Sequence, residues 1–87
     1  MQNVSKALNS KTRIDILKLL MEGENHIGRL AEKLGKDIST MSRHIDCLQR
    51  ANFIVTRKEG KLLICRIKNK AALNNLFNAI NRLEEIV

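Results

Sequence analysis

Ser39, Thr40, Ser42 and Arg43 lie close together at the start of a stretch with helical apolar spacing, the arrangement a helix needs to read nucleic-acid base edges. Arginine offers two parallel donors that match guanine, and serine or threonine hydroxyls reach bases or phosphates. Other reactive residues are sparse. Cys47 and Cys65 are the two cysteines, and His26 and His44 the two histidines, with no spacing suited to a metal centre. Paired carboxylates are confined to Glu84 and Glu85 at the far C-terminus, and no glycine-rich phosphate loop occurs, so enzyme chemistry finds no support. No cofactor and no metal is expected.

Lys and Arg number 16 against 9 Asp and Glu, a formal charge of +7 on 87 residues. So strong a positive field on a small domain favours a polyanion as partner. Its distribution supports double-stranded DNA. Between Arg57 and Lys70 there are six basic residues (Arg57, Lys58, Lys61, Arg66, Lys68, Lys70) and one acid, Glu59.

The elements that must position these residues follow from periodicity and glycines. A short helix is expected around Val4 to Leu8. Ser10 suits an N-cap, after which Ile14, Leu17, Leu20 and Met21 recur at helical spacing, with Ile16 and Leu19 widening the stripe. Ile27, Leu30, Ala31 and Leu34 mark a short helix that Gly35 would end. Asp37 can cap the next helix, with Ile38, Met41, Ile45 and Leu48 as its apolar face and Ser39, Ser42, Arg43, Asp46 and Arg50 turned away from it. From Phe53 the pattern becomes β-like. Phe53–Arg57 and Leu62–Ile67 flank Lys58-Glu59-Gly60-Lys61, a hairpin with Arg57, Lys58 and Lys61 expected at its tip. Leu73, Leu76, Ile80, Leu83 and Val87 then form a heptad seam flanked by Phe77.

This order predicts a mainly α fold with a β-hairpin wing: one winged helix-turn-helix domain over 1–87, its helix-turn-helix over about 27–50 and its wing over about 53–67. Ala31 supplies the small residue needed where two helices cross, and Gly35 the turn. The helix beginning near Ile38 is then the groove reader. Arg57, Lys58 and Lys61 would meet phosphate or the minor groove, and Lys11 and Thr12 would meet phosphate at a helix N-terminus.

A chain this short buries only about 60–65% of its unfolded surface, so a second subunit is an economical supplement to the core. The C-terminal helix is expected to dimerise, with Val4, Leu8, Leu73, Leu76, Phe77, Ile80, Leu83 and Val87 at the interface, over about 3–9 and 70–87. A two-fold dimer implies a palindromic site. With no signal peptide and no apolar run of membrane-spanning length, the sequence implies a soluble, cytoplasmic protein without membrane partners. Cys47 and Cys65 read as small buried hydrophobes; a thiol switch bridging them is the sharper alternative. His26, at a strand start, is structural, while His44 could touch phosphate or pack against the preceding helix.

Leu8-Asn9-Ser10-Lys11-Thr12-Arg13-Ile14-Asp15-Ile16-Leu17 resembles the opening motif of the arsenic-repressor (ArsR) family. Ile27–Gly35 with Ser39–Ile45 is similar to that family's helix-turn-helix, and Glu59-Gly60-Lys61 falls at its wing turn. The resemblance implies a homodimer built on the first and last helices, bound to an imperfect inverted repeat, with Ser39, Thr40, Ser42 and Arg43 approaching DNA. It also exposes departures. Where arsenic- and cadmium-sensing members have Cys-x-Cys, this chain has His26-Ile27-Gly28, and its last helix lacks the His that zinc-sensing members use. The family's metal sites therefore do not carry over. The resulting expectation is a sequence-specific dimeric DNA-binding transcriptional regulator, a repressor because no second domain is available to recruit polymerase. A winged helix used for protein–protein assembly is the alternative, for which the exposed helix face should be apolar or acidic.

Overall fold

A computed structural model describes residues 6–86, with side chains to 83. The expected interface residues Val4 and Val87 lie outside the described residues. Residues 6–8 are helical, and Ala7, which the apolar pattern does not single out, is fully buried. Helix α1 (Lys11–Met21) starts where Ser10, in an extended conformation, accepts from the Arg13 backbone N–H at 3.3 Å. Its buried face is Ile16, Leu17 and Leu20, so the stripe is rotated from the expected one, and Ile14, Leu19 and Met21 are only half-buried.

Strand β1 (Asn25–His26) leads directly into α2 (Ile27–Leu34). His26 is structural in both senses: it pairs with Ile64 in the sheet, and its Nδ1 accepts from the Arg29 N–H at 3.2 Å, capping α2. Gly35 ends α2 at φ 64°, a left-handed conformation in which a Cβ is costly. Lys36 N–H then donates to Ala31 C=O at 2.9 Å and Gly35 N–H to Glu32 C=O at 3.3 Å, a Schellman closure. Helix α3 (Ile38–Arg50) begins two residues later and ends in a second such closure. There Asn52 takes φ 65°, and Phe53 N–H reaches Leu48 C=O at 3.0 Å.

β2 (Ile54–Glu59) and β3 (Leu62–Ile67) form the wing, paired antiparallel from Ile54↔Ile67 to Glu59↔Leu62. This register leaves Gly60-Lys61 as a two-residue turn, with Gly60 at φ 60° where that turn requires a positive value. β1 adds a third strand, giving the order β1-β3-β2. Asn69 caps the start of α4 (Lys70–Ile86), its Oδ1 accepting from the Ala72 N–H at 3.0 Å.

The core joins Ile16, Leu17 and Leu20 of α1, Leu30 and Ala31 of α2, Met41, Ile45 and Leu48 of α3, and Ile54, Cys65 and Ile67 of the sheet. From α4 only Leu73 is fully in it. Leu76, Phe77 and Ile80 are half-buried and Leu83 is 64% exposed. The N-terminal part of the seam (Leu73, Leu76, Phe77) therefore packs on the chain's own core, while Ile80 and Leu83 lie beyond it. Among the described residues, no helix is long and apolar enough to cross a membrane.

Candidate nucleic-acid interface

Helix α3 is held from beneath by Met41, Ile45 and Leu48, all buried, while Ser39, Ser42 and Arg43 are exposed. The first two turns of the opposite face are thus free. Two residues depart from expectation. Ile38 was assigned to the apolar face but is 57% exposed at the first position of α3, one turn before the buried anchors begin at Met41. Thr40, expected to face outward, is half-buried, and its N–H donates to Asp37 Oδ1 at 2.7 Å.

Asp37 organises this helix end. Its carboxylate accepts from Thr40 N–H and, at 3.0 Å, from the Ser39 hydroxyl; these bonds hold its pKa below the ordinary carboxylate value. With its hydrogen committed to Asp37, Ser39 is left as an acceptor, suited to an amino group on adenine or cytosine. Arg43 has no acidic partner among the described contacts and stands open to solvent.

Cations surround this face. Lys6 and Arg13 border a cleft with Arg43, Asp46, Cys47 and Arg50 along one flank of α3. Arg13 is committed to structure: its Nε donates to His44 Nδ1 at 3.1 Å and a terminal nitrogen donates to Lys6 C=O. His44 is therefore a packing acceptor between α1 and α3; burial, then Arg13 and Lys36, push its pKa below the ordinary value. Lys11 and Thr12 share a second cleft with Lys36, which the sequence pattern does not single out. Lys11 also reaches Asp15 at 3.0 Å, an exposed pair that water and salt weaken.

On the wing, Lys61 alone occupies the turn. Lys58 sits one step into the ladder opposite Leu63, and Arg57 lies further back opposite Ile64, which corrects its expected place at the tip. Arg57 grips both oxygens of Glu24, the longer contact being 3.2 Å, and its pKa is raised by that partner. Lys58, Lys61 and Arg66 are thus the exposed wing cations without a carboxylate partner among the described contacts.

Both cysteines are free. Cys65 is fully buried in the sheet, and burial pushes its thiol up to about 11, which keeps it protonated and disfavours thiolate chemistry at neutral pH. Cys47 lines the cationic cleft instead. Among the described residues, no three His, Cys, Asp or Glu side chains gather to hold a metal ion.

Comparison with known proteins bears on this arrangement directly. Residues 10–56, spanning α1 to the first wing strand, match the family described as "Bacterial regulatory protein, arsR family". The chain is 28% identical over 81 residues to the HTH-type transcriptional regulator KmtR of Mycobacterium tuberculosis, covering 93% of this chain and 62% of that protein. It is 29% identical over 85 residues to the transcriptional repressor SdpR of Bacillus subtilis, covering 94% of each. Among solved structures, it resembles a homodimeric winged helix-turn-helix DNA-binding domain from Mycobacterium bovis, with a TM-score of 0.83 and 27% identity over 97% of this chain and 77% of the other. The chain spans under two thirds of KmtR and nearly all of SdpR. A mainly helical winged helix-turn-helix, matched over more than half its length, belongs to the arsR family of bacterial regulatory proteins.

Proposed function

We propose that this regulator is a cytoplasmic homodimeric repressor that binds an inverted-repeat operator through α3. The observation that carries the reading is the division of α3: Met41, Ile45 and Leu48 anchor it, while Ser39, Ser42 and Arg43 project from its N-terminal half. Arg43 reads a guanine, Ser39 accepts from a base amino group, and Ser42 contacts a base or phosphate. Lys61 and Lys58 on the wing and Lys11 and Thr12 at the start of α1 add phosphate contacts, which supply affinity without sequence information.

Dimerisation rests on α4. Ile80 and Leu83 extend an apolar seam beyond what one subunit covers, continuing Leu73, Leu76 and Phe77, whose faces are only partly used by the core, and Leu8 of the helical residues 6–8 would join it. The Mycobacterium bovis domain is described as homodimeric, and SdpR as a repressor, which supports both parts of the proposal. A two-fold pair sets two reading helices about 34 Å apart, one turn of duplex. Occlusion of a promoter by the bound dimer is then sufficient for repression. Selection from randomised duplexes with the full chain tests this. An enriched inverted repeat with half-sites one turn apart, bound by two chains, is expected; recovery of unrelated sequences would overturn it.

A further inference from the structure

Ile38 is the first residue of α3 and is 57% exposed, one of three large apolar residues so exposed among the described residues. The other two sit on the wing beside its turn (Leu62) and on the α4 seam (Leu83). Leu34 of α2, Cys47 further along α3 and Phe53 are partly buried against the core, and Ile38 is not among the side chains that pack there. Nothing local calls for an apolar group here. The cap is supplied by Asp37, and a β-branched residue adds nothing to helix propensity at this position. Ile38 stands one turn ahead of Ser42, so the two share an edge of the helix, at the end that enters a major groove first.

The major-groove surface carries one apolar group, the 5-methyl of thymine. Resting on the groove-reading role of α3 proposed above, we infer that Ile38 is a specificity-determining residue that packs on a thymine methyl in each half-site. Ser39 and Arg43 then read polar edges on neighbouring base pairs, and Ile38 discriminates thymine from cytosine, which presents an amino group and no methyl. Exposed to water in the free protein, the side chain gains burial only on a correctly placed thymine.

The test replaces each thymine of the selected duplex in turn by deoxyuridine, which removes only the methyl group. Full-length wild type and Ile38→Ala are compared by anisotropy. At one thymine per half-site, wild type should weaken about fourfold per methyl removed, and about fifteenfold when both half-sites are changed. Ile38→Ala should be indifferent to that replacement, and its Tm should match wild type because the side chain supports no core. Sequence selection that persists while no thymine matters, or equal sensitivity in Ile38→Ala, overturns the role of Ile38 and leaves groove reading intact. A selected half-site without thymine does the same. Failure of wild type to select any sequence overturns groove reading and this inference together.

Discussion

Arg13 Nε donates to Nδ1 of His44 across 3.1 Å, linking α1 to α3, the helix proposed to read DNA. The bond needs a neutral imidazole, since a protonated ring has no lone pair to offer and would place a second cation beside the guanidinium. The ordinary value of 6.5 holds in the unfolded chain, while burial and the nearby cations lower it in the folded one. The folded state therefore takes up the proton less readily. Stability from this contact is complete above pH 6.5 and declines as pH falls from there through the lowered folded value. Thermal unfolding between pH 7.5 and 5.5 should show a larger loss of Tm for wild type than for His44→Gln, which keeps an acceptor and does not titrate. Parallel curves for the two proteins would contradict this.

The wing cations should not contribute equally to DNA affinity. Arg57 is held by Glu24, whereas Lys61 occupies the open turn. Lys61→Ala should weaken binding to all sequences alike and reduce the salt slope by about 2, one phosphate contact from each subunit of the dimer. Arg57→Ala should reduce the slope less, and Glu24→Gln should raise affinity by releasing the guanidinium. Titrations at several salt concentrations check the order, and a larger effect for Arg57→Ala would contradict it.

Leu83 is 64% exposed in the single chain, so a charge there disturbs no core of its own subunit. In a dimer closed by α4 the same charge is buried against a partner. Leu83→Asp should sediment as a folded monomer at concentrations where wild type is a dimer, with unchanged helix content. A wild-type monomer, or a dimeric Leu83→Asp, would rule out this seam.

Gly35 is the turn between α2 and α3, at φ 64° with open space where a Cβ would stand. Gly35→Ala therefore meets backbone strain and no clash, a loss of about 1–2 kcal/mol, or about 4–8 °C in Tm per kcal/mol for a domain this small. Melting at fixed protein concentration checks it, since a dimer's Tm depends on concentration. An unchanged Tm would show that the turn tolerates a side chain.

Much of this fold was legible because its punctuation is local. Ser10, Gly35 and Asp37 act within a few residues of themselves, and Gly60 fixes a turn whose length the flanking strands reveal. The anchoring of α3 by Met41, Ile45 and Leu48 also follows from spacing alone. What escaped depends on distant neighbours. Ile38 has the right helical phase for the core, but it stands at the very start of α3 and stays 57% exposed. Arg57 is indistinguishable from Lys58 in sequence; only the strand register and the approach of Glu24 separate them. The link between Arg13 and His44 spans 31 residues and leaves no periodic signal. The strand start expected at His26 is a two-residue strand, Asn25–His26, whose partner β3 only the fold reveals.

The central claim is that α3 reads base edges through Arg43. Its most direct test is fluorescence anisotropy of the selected duplex and a scrambled one, at two salt concentrations, with wild type and Arg43→Ala. Wild type should prefer the selected duplex and weaken steeply with salt. Arg43→Ala should lose about 1–3 kcal/mol per half-site on the selected duplex, keep its affinity for the scrambled one to within the loss of one phosphate-range charge per subunit, and so lose most of its selectivity. Equal selectivity in the two proteins would mean that α3 does not read the groove through Arg43.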